Sequence, residues 1–310
     1  MQIIRTHEQI PEAAKNSVIA LGNFDGMHKG HALVINKAKD ISRKLNCPLA
    51  LMTFEPHPNK ILGNKDPNFR LTILEKKAEL ADNLGVDFLF VTDFNYDFAA
   101  ISPENFIKTF LVGKLKVKHI VVGDNFTFGH KRKGNTDLLK DLSVEYSYDS
   151  TEIITKNNQS SEIIYSSTLV RNSLRSGNIK LANDILGRNF SYKGKIIKGN
   201  NLGEKLGFRT INLEIPEDMI IPCLGVYAVE ANISGDLYNG VANIGKRPTI
   251  ALNEIIIEIH LFNFDQMVYE QYIEVYLVDF IRKEKKFLSI EDLQEQIGKD
   301  CITAKDILGI

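Results

Sequence analysis

His28 and His31 bracket Lys29 and Gly30 where an apolar strand pattern gives way to a helical one, and this junction limits the fold more than any other segment. Residues 17–21 run apolar without a break, while Val34, Ala38, Ile41 and Leu45 recur at spacings of four, three and four, which marks one buried helix face. The H-x-G-H tetrapeptide therefore belongs to a strand-to-helix turn. Such a turn offers unpaired N–H groups and the positive end of the helix dipole, and Gly30 lets an anion approach the backbone. Two imidazoles three residues apart then face the same anion. Four residues alone fit solvated turn histidines equally well. The prefix Gly22-Asn23-Phe24-Asp25-Gly26 on the strand end tips the reading towards nucleotide phosphates and adenylyl transfer.

At about 150 residues per domain, a chain of 310 residues implies two domains. A hydrophobic share of 44% and a charged share of 25% fit a globular protein with full cores, and a net charge of −1 argues against a nucleic-acid partner. Basic residues cluster briefly at 130–133 and 282–286, each read as a solvated face or a phosphate contact. Cys47, Cys223 and Cys301 are odd in number and lack C-x-x-C spacing, so they read as free thiols in a reducing compartment. No basic-then-apolar leader opens the sequence and no apolar run reaches the roughly 20 residues of a membrane span. The expectation is a cytoplasmic protein without a membrane partner; the oligomeric state is not encoded in any recognisable pattern.

Strand patterns at 18–21, 49–53, 88–91 and 119–122 alternate with helix patterns at 31–45, 72–84 and 103–112, as in a doubly wound α/β sheet. Thr72 with Glu75 predicts a capping box, and Ser102-Pro103 a capped helix start. A helical stretch at 168–186, broken at Gly177, closes a first domain of residues 1–186. From 187 to 310 the texture changes to strands at 225–232, 237–244, 253–262 and 271–280, predicting an antiparallel β-barrel with a final helix opened by Ser289.

Three further segments carry chemistry. In Thr53-Phe54-Glu55-Pro56-His57-Pro58 two prolines stiffen a loop suited to a flat ligand, although a plain proline-rich turn is the simpler reading. Gly123 to Gly129 sets Asp124 and Asn125 beside Phe126 and Phe128, a mix that suits a heteroaromatic ring with polar edges or, equally, core packing. Ser166, Ser167 and Thr168 open a helix with Arg171 one turn in, which fits a polyphosphate clamp as well as a simple cap.

Taken in order, GNFDGMHKGH, TFEPHP, VVGDNFTFG and SSTLVR resemble the bacterial bifunctional riboflavin kinase/FAD synthetase family, and the likeness continues past residue 187 through Gly194–Gly199, the stretch from Gly203 to Asn212, Gly225-Val226-Tyr227, Asn243-Ile244-Gly245, Arg247-Pro248-Thr249 and Ile257 to Leu261. The resemblance implies an HxGH nucleotidyltransferase domain that joins AMP from ATP to FMN. It assigns His28, His31 and Arg171 to catalysis. Gly22, Asn23, Phe24, Asp25, Gly30, Ser167 and Thr168 fall to ATP, and Phe54, Pro56, Pro58, Asn125 and Phe128 to the flavin. In the kinase-like barrel it implies Glu258 as base towards riboflavin, Gly194 and Gly199 at ATP, and Thr210 with Asn212 at phosphate and Mg²⁺. Strand alternation independently puts Ile255, Ile257, Ile259 and Leu261 on one face and Glu258 with His260 on the other.

Where the family has Pro-Thr-Ala-Asn this chain reads Arg209-Thr210-Ile211-Asn212, and Glu204 follows Gly203 in place of arginine. These departures predict kinase activity weakened or lost beside intact adenylylation. The competing class is a flavin- or nucleotide-binding regulator without turnover, against which the trio of His28, His31 and Arg171 argues. A tRNA ligase with a related motif ranks last, for want of an anticodon-binding domain and of basic surplus.

Overall fold

The apolar runs of the first half pair as a six-stranded sheet in the order β1-β4-β3-β2-β5-β6, with all neighbours parallel. Its strands are β1 (Gln2–Arg5), β2 (Val18–Leu21), β3 (Leu49–Glu55), β4 (Phe88–Asp93), β5 (His119–Gly123) and β6 (Asp149–Ile153). β2 lies mid-sheet and is buried along its whole length, as a strand covered on both faces must be. The chain winds outward from β2 through β3 to β4, then crosses back to β5. That reversal leaves a crevice beyond the carboxyl ends of β2 and β5, where ligands of such sheets collect.

The computed structural model describes residues 1–63, 66–154, 164–197, 207–246, 255–266, 268 and 270–310. They form two compact units, Met1–Ser167 and Thr168–Ile310. The sequence set its boundary later, at 186. The helices Ser167–Ser176 and Ile179–Leu186 explain the difference: the Cys223 amide donates to the Leu174 carbonyl at 2.9 Å, and Asn183 Nδ2 donates to the Leu277 carbonyl at 2.9 Å. Gly177 separates the two helices as expected.

Two helix expectations are corrected in the first unit. The helix after the 70s runs Leu74–Asn83 with Ile73 at its cap position and no side-chain cap. Thr72 instead accepts a hydrogen bond from the Gly26 amide at 3.0 Å, so its hydroxyl is committed elsewhere. The segment expected as one helix over 103–112 starts with Ser102 accepting from the Asn105 amide at 3.2 Å, then widens into a π-helix over Phe106–Lys114. That winding lays Phe106 and Phe110 parallel, with ring centroids 5.8 Å apart.

In the second unit β7 (Phe190–Ile197), β8 (Ile211–Glu214), β9 (Gly225–Ile233), β10 (Asp236–Lys246), β11 (Ile255–Leu261) and β12 (Tyr272–Lys283) close an antiparallel barrel in the order β10-β11-β8-β7-β12-β9. Tyr192 and Tyr227 are fully buried in it, with their hydroxyls given to the Ile220 and Cys223 carbonyls. The helix Ile290–Leu308, capped by Ser289 as predicted, packs on β9, β10 and β12. Arg282 grips Asp300 of that helix through two nitrogens, at 2.8 and 2.7 Å.

Candidate active sites

The turn after β2 ends at His28, which is the N-cap of the helix Lys29–Leu45. His28 Nδ1 accepts from the His31 amide at 3.3 Å, the position a capping serine or aspartate oxygen usually fills. With Nδ1 accepting, Nε2 is the ring nitrogen that carries a proton. The two imidazoles stack with centroids 3.7 Å apart and planes 17° from parallel. His28 is only 4% exposed, and Phe24 backs His31 edge-on at 5.1 Å. A side chain at Gly30 would bring a Cβ to 3.1 Å from the His28 ring and from Tyr165 Cβ, so only glycine leaves the stack undisturbed.

Asp25, expected at ATP, is 2% exposed and points into the protein. Its Oδ1 accepts from the amides of Leu71 and Thr72 at 2.9 and 3.1 Å. Beside it Arg70 donates to the Thr72 carbonyl at 2.8 Å and pairs with Glu55. Lys77, 1% exposed, completes the group 3.6 Å from Glu55. Burial outweighs the neighbouring carboxylates and lowers the Lys77 pKa. The loop of residues 22–28 is thus pinned to the 70–72 segment from below, while Gly22 donates to Met52 at 3.3 Å and Asn23 stays exposed at its crest. Ser167 Oγ donates to the Asp25 carbonyl of the same unit at 2.8 Å. Thr168 and Arg171 follow in that helix and belong to the second unit; Thr168 is exposed and Arg171 half-buried.

Next to the loop lies a cleft of about 690 Å³, within the usual size of a small-molecule site. Phe54, Pro58, Asn125 and Phe128 line it, whereas Pro56 is exposed outside the lining. Asn23 of the 22–28 loop lines it too. Phe94, Phe98, Phe106 and Phe126 complete an aromatic wall in which Phe98 meets Phe54 and Phe106 at 5.9 Å each. Their sequence spacing carried no common period, so only the fold assembles them.

In the barrel, Glu258 of β11 stands in register with Asn212 of β8 on one side and Asn243 of β10 on the other. Directly opposed residues share a face, so the three polar side chains form one row. Glu258 is exposed and Asn212 is 4% exposed. Asn212 Oδ1 is buried without a hydrogen-bond partner among the described residues, an acceptor left open for a ligand. Thr210 is half-buried two residues before it. Arg209 turns its guanidinium to Asp265 at 2.9 Å, and its carbonyl accepts from His260 Nδ1 at 2.9 Å. Ile211 is buried in the barrel. Gly194 is buried in β7, where a Cβ would lie 3.0 Å from the Glu214 carbonyl. Gly199, Gly203, Glu204 and the Arg247-Pro248-Thr249 stretch lie outside the described residues.

Residues 10–168 match the FAD synthetase family and residues 186–308 the riboflavin kinase family. The bifunctional riboflavin kinase/FMN adenylyltransferase of Bacillus subtilis is 40% identical over 97% of this chain and 95% of its own. The protein of the same name from Escherichia coli is 36% identical over 100% of this chain and 99% of its own. A solved structure described as a macrolide-efflux protein from Streptococcus pneumoniae shares the architecture, with 29% identity, a TM-score of 0.85 and coverage of 96% and 97% of the two chains. Among the described residues no helix is long and apolar enough to cross a membrane. With a stacked histidine pair capping the helix after β2 in one unit and a carboxylate between two asparagines in the other, the chain belongs to the bifunctional riboflavin kinase/FMN adenylyltransferase family.

Proposed function

We propose that the first unit joins AMP to FMN at the His28 turn and that the barrel supplies FMN by phosphorylating riboflavin beside Glu258. In the first reaction an FMN phosphate oxygen attacks the α-phosphorus of ATP while the bond to pyrophosphate breaks, releasing FAD and pyrophosphate. No covalent enzyme intermediate is needed, so rate comes from alignment and from donors aimed at the developing charge. The observation that carries this reading is the cap: His28 Nδ1 accepts from the His31 amide, which fixes both stacked imidazoles at the first turn of the helix, where a phosphate is favoured. His31 stacks on that ring to present a second donor. Asp25 and Phe24 act by holding the loop, and Gly22, Asn23 and Gly30 give the backbone its close approach. Ser167, Thr168 and Arg171 fit the departing pyrophosphate. Phe54, Pro58, Asn125 and Phe128 hold the flavin; Pro56 acts through the stiffness of its loop.

In the barrel, Glu258 takes the proton of the riboflavin hydroxyl as that oxygen attacks the γ-phosphorus of ATP and ADP leaves. Thr210 and Asn212 suit Mg²⁺, a hard ion that prefers oxygen donors and keeps most of its waters. The open Asn212 Oδ1 supports that fit, and among the described residues no three His, Cys, Asp or Glu side chains gather as a competing cage. Bound there with ATP, such an ion would supply positive charge to offset that of the phosphates. The predicted weakening rested partly on a stray positive charge at 209, but Asp265 pairs it; we therefore take the kinase to be active. A cytoplasmic setting suits three free cysteines.

Purified protein given Mg·ATP with either riboflavin or FMN, followed by chromatography of the flavins, tests both halves. FMN and FAD from riboflavin, and FAD from FMN, are expected. FAD from FMN alone would restrict the proposal to the first unit.

A further inference from the structure

The aromatic cleft accounts for a flavin ring but not for the charge that FMN brings. A phosphate monoester carries close to two negative charges at neutral pH, and an apolar wall cannot hold them uncompensated. Among the described residues no aspartate or glutamate lines the cleft, although the chain has 39 of them, and the two permanent cations that do are the adjacent residues Lys131 and Arg132.

The backbone beneath these residues is built rather than loose. Lys131 has φ 53° and Arg132 φ 58°, both in the left-handed region that side chains avoid. Such conformations persist only where the surroundings impose them, and they gather at ligand clamps. Here Phe128 and Gly134 close the loop by exchanging two backbone hydrogen bonds of 3.0 Å. Inside it the His130 amide donates to the Ile101 carbonyl at 2.8 Å and the Arg132 amide to the Gly129 carbonyl at 3.0 Å. Gly129, at φ +70°, comes so near Pro103 that a Cβ would lie 2.7 Å from it. Among the described residues neither Lys131 nor Arg132 enters an ion pair, so both charges are available.

We propose that Lys131 and Arg132 form the phosphate subsite of this cleft, recognising the terminal phosphate of the flavin and so selecting FMN over unphosphorylated flavin for adenylylation. The inference rests on the FAD-forming reading of the first unit. In chemical terms it assigns the basic run at 130–133 to a phosphate contact instead of a solvated face.

The test compares the full-length protein with K131A, R132A, the double variant and R132K. Initial rates of FAD formation give KM for FMN and for ATP. Lumiflavin, a flavin ring without ribityl or phosphate, serves as a competitive inhibitor that reads ring binding alone. Losing a charge-assisted contact should raise the KM for FMN roughly tenfold per residue. The lumiflavin inhibition constant and the KM for ATP should stay at their native values, R132K should recover part of the loss, and added salt should weaken FMN use less in the double variant than in the native protein. An unchanged KM for FMN in the double variant overturns the subsite. So does a parallel rise in the lumiflavin constant, which would mean a collapsed cleft, or a rise confined to ATP. If the native protein made no FAD from FMN at all, the underlying reading would fail instead, and that outcome is separate from the others.

Discussion

Lys77 Nζ donates to Thr53 Oγ1 at 2.8 Å, and that hydroxyl passes its own hydrogen to the Asn23 carbonyl at 3.0 Å. A cation sealed in the interior is thereby wired to the crest of the loop that leads into His28. Asp25, Glu55 and Arg70 complete a buried polar network under the histidine pair.

Lys77→Met should destabilise the protein by about 3–5 kcal/mol, the usual consequence of removing one partner from a buried charge group. Its pKa is depressed in the folded state, so the unfolded chain binds that proton more tightly, and stability from this residue rises as pH climbs from the folded pKa to about 10.4. Urea midpoints measured near about pH 8 and about pH 10 should therefore diverge less in the methionine variant than in the native protein.

His28→Asn separates two duties of one side chain. Asparagine is a good N-cap, so the helix and the thermal midpoint should be nearly preserved, whereas His28→Ala should cost about 1 kcal/mol of stability. Both variants lose the Nε2 donor, and FAD formation should fall by roughly 10²–10³ in each. An asparagine variant with full turnover would remove His28 from catalysis.

In the barrel, Glu258→Gln and Asn212→Ala should each abolish most riboflavin phosphorylation while FAD formation from supplied FMN continues at the native rate. Because Asp265 already holds the Arg209 guanidinium, replacing Arg209 with proline and Ile211 with alanine should shift kinase turnover by no more than about 0.5 kcal/mol, or roughly twofold. A large gain in kcat would show that these departures restrain the kinase after all.

Alkaline unfolding reports on phenols. Burial pushes the pKa of Tyr148 up to about 12 and those of Tyr192 and Tyr227 higher still. A neutral phenol kept in the fold binds its proton more tightly than the unfolded chain does, so this stability is complete below about pH 10 and is lost as pH rises beyond it. Tyr192→Phe should flatten that loss, measured as denaturant midpoints on either side of pH 10 alongside phenolate absorbance.

Much of the architecture was legible because the two periodicities are plain. The strand at Val18–Leu21 and the helix capped by Ser289 both follow from apolar spacing and cap chemistry. β1 and β6 were not legible, since both lie at sheet edges; β1 has one buried residue of four and β6 is polar, so neither shows an apolar run. The histidine pair was readable as a motif, but its stacking was not. The Thr72 cap failed because a hydroxyl that looks like a local cap found a distant amide, at Gly26. Nothing in the neighbours of Asp25 reveals that two amides some 46 and 47 residues on would donate to its carboxylate. Phe94, Phe98 and Phe106 escaped notice because they converge from separate segments.

The cap at His28 also explains why the motif has its spacing. An N-cap side chain reaches the amide three residues ahead, whatever the nucleotide looks like, so the interval between the two histidines is dictated by the first turn of a helix. The same ring that holds the turn thus also sets where its other nitrogen lies. Whatever disturbs that turn therefore disturbs the donor with it, making the fingerprint a grammar of helix beginnings that chemistry has borrowed.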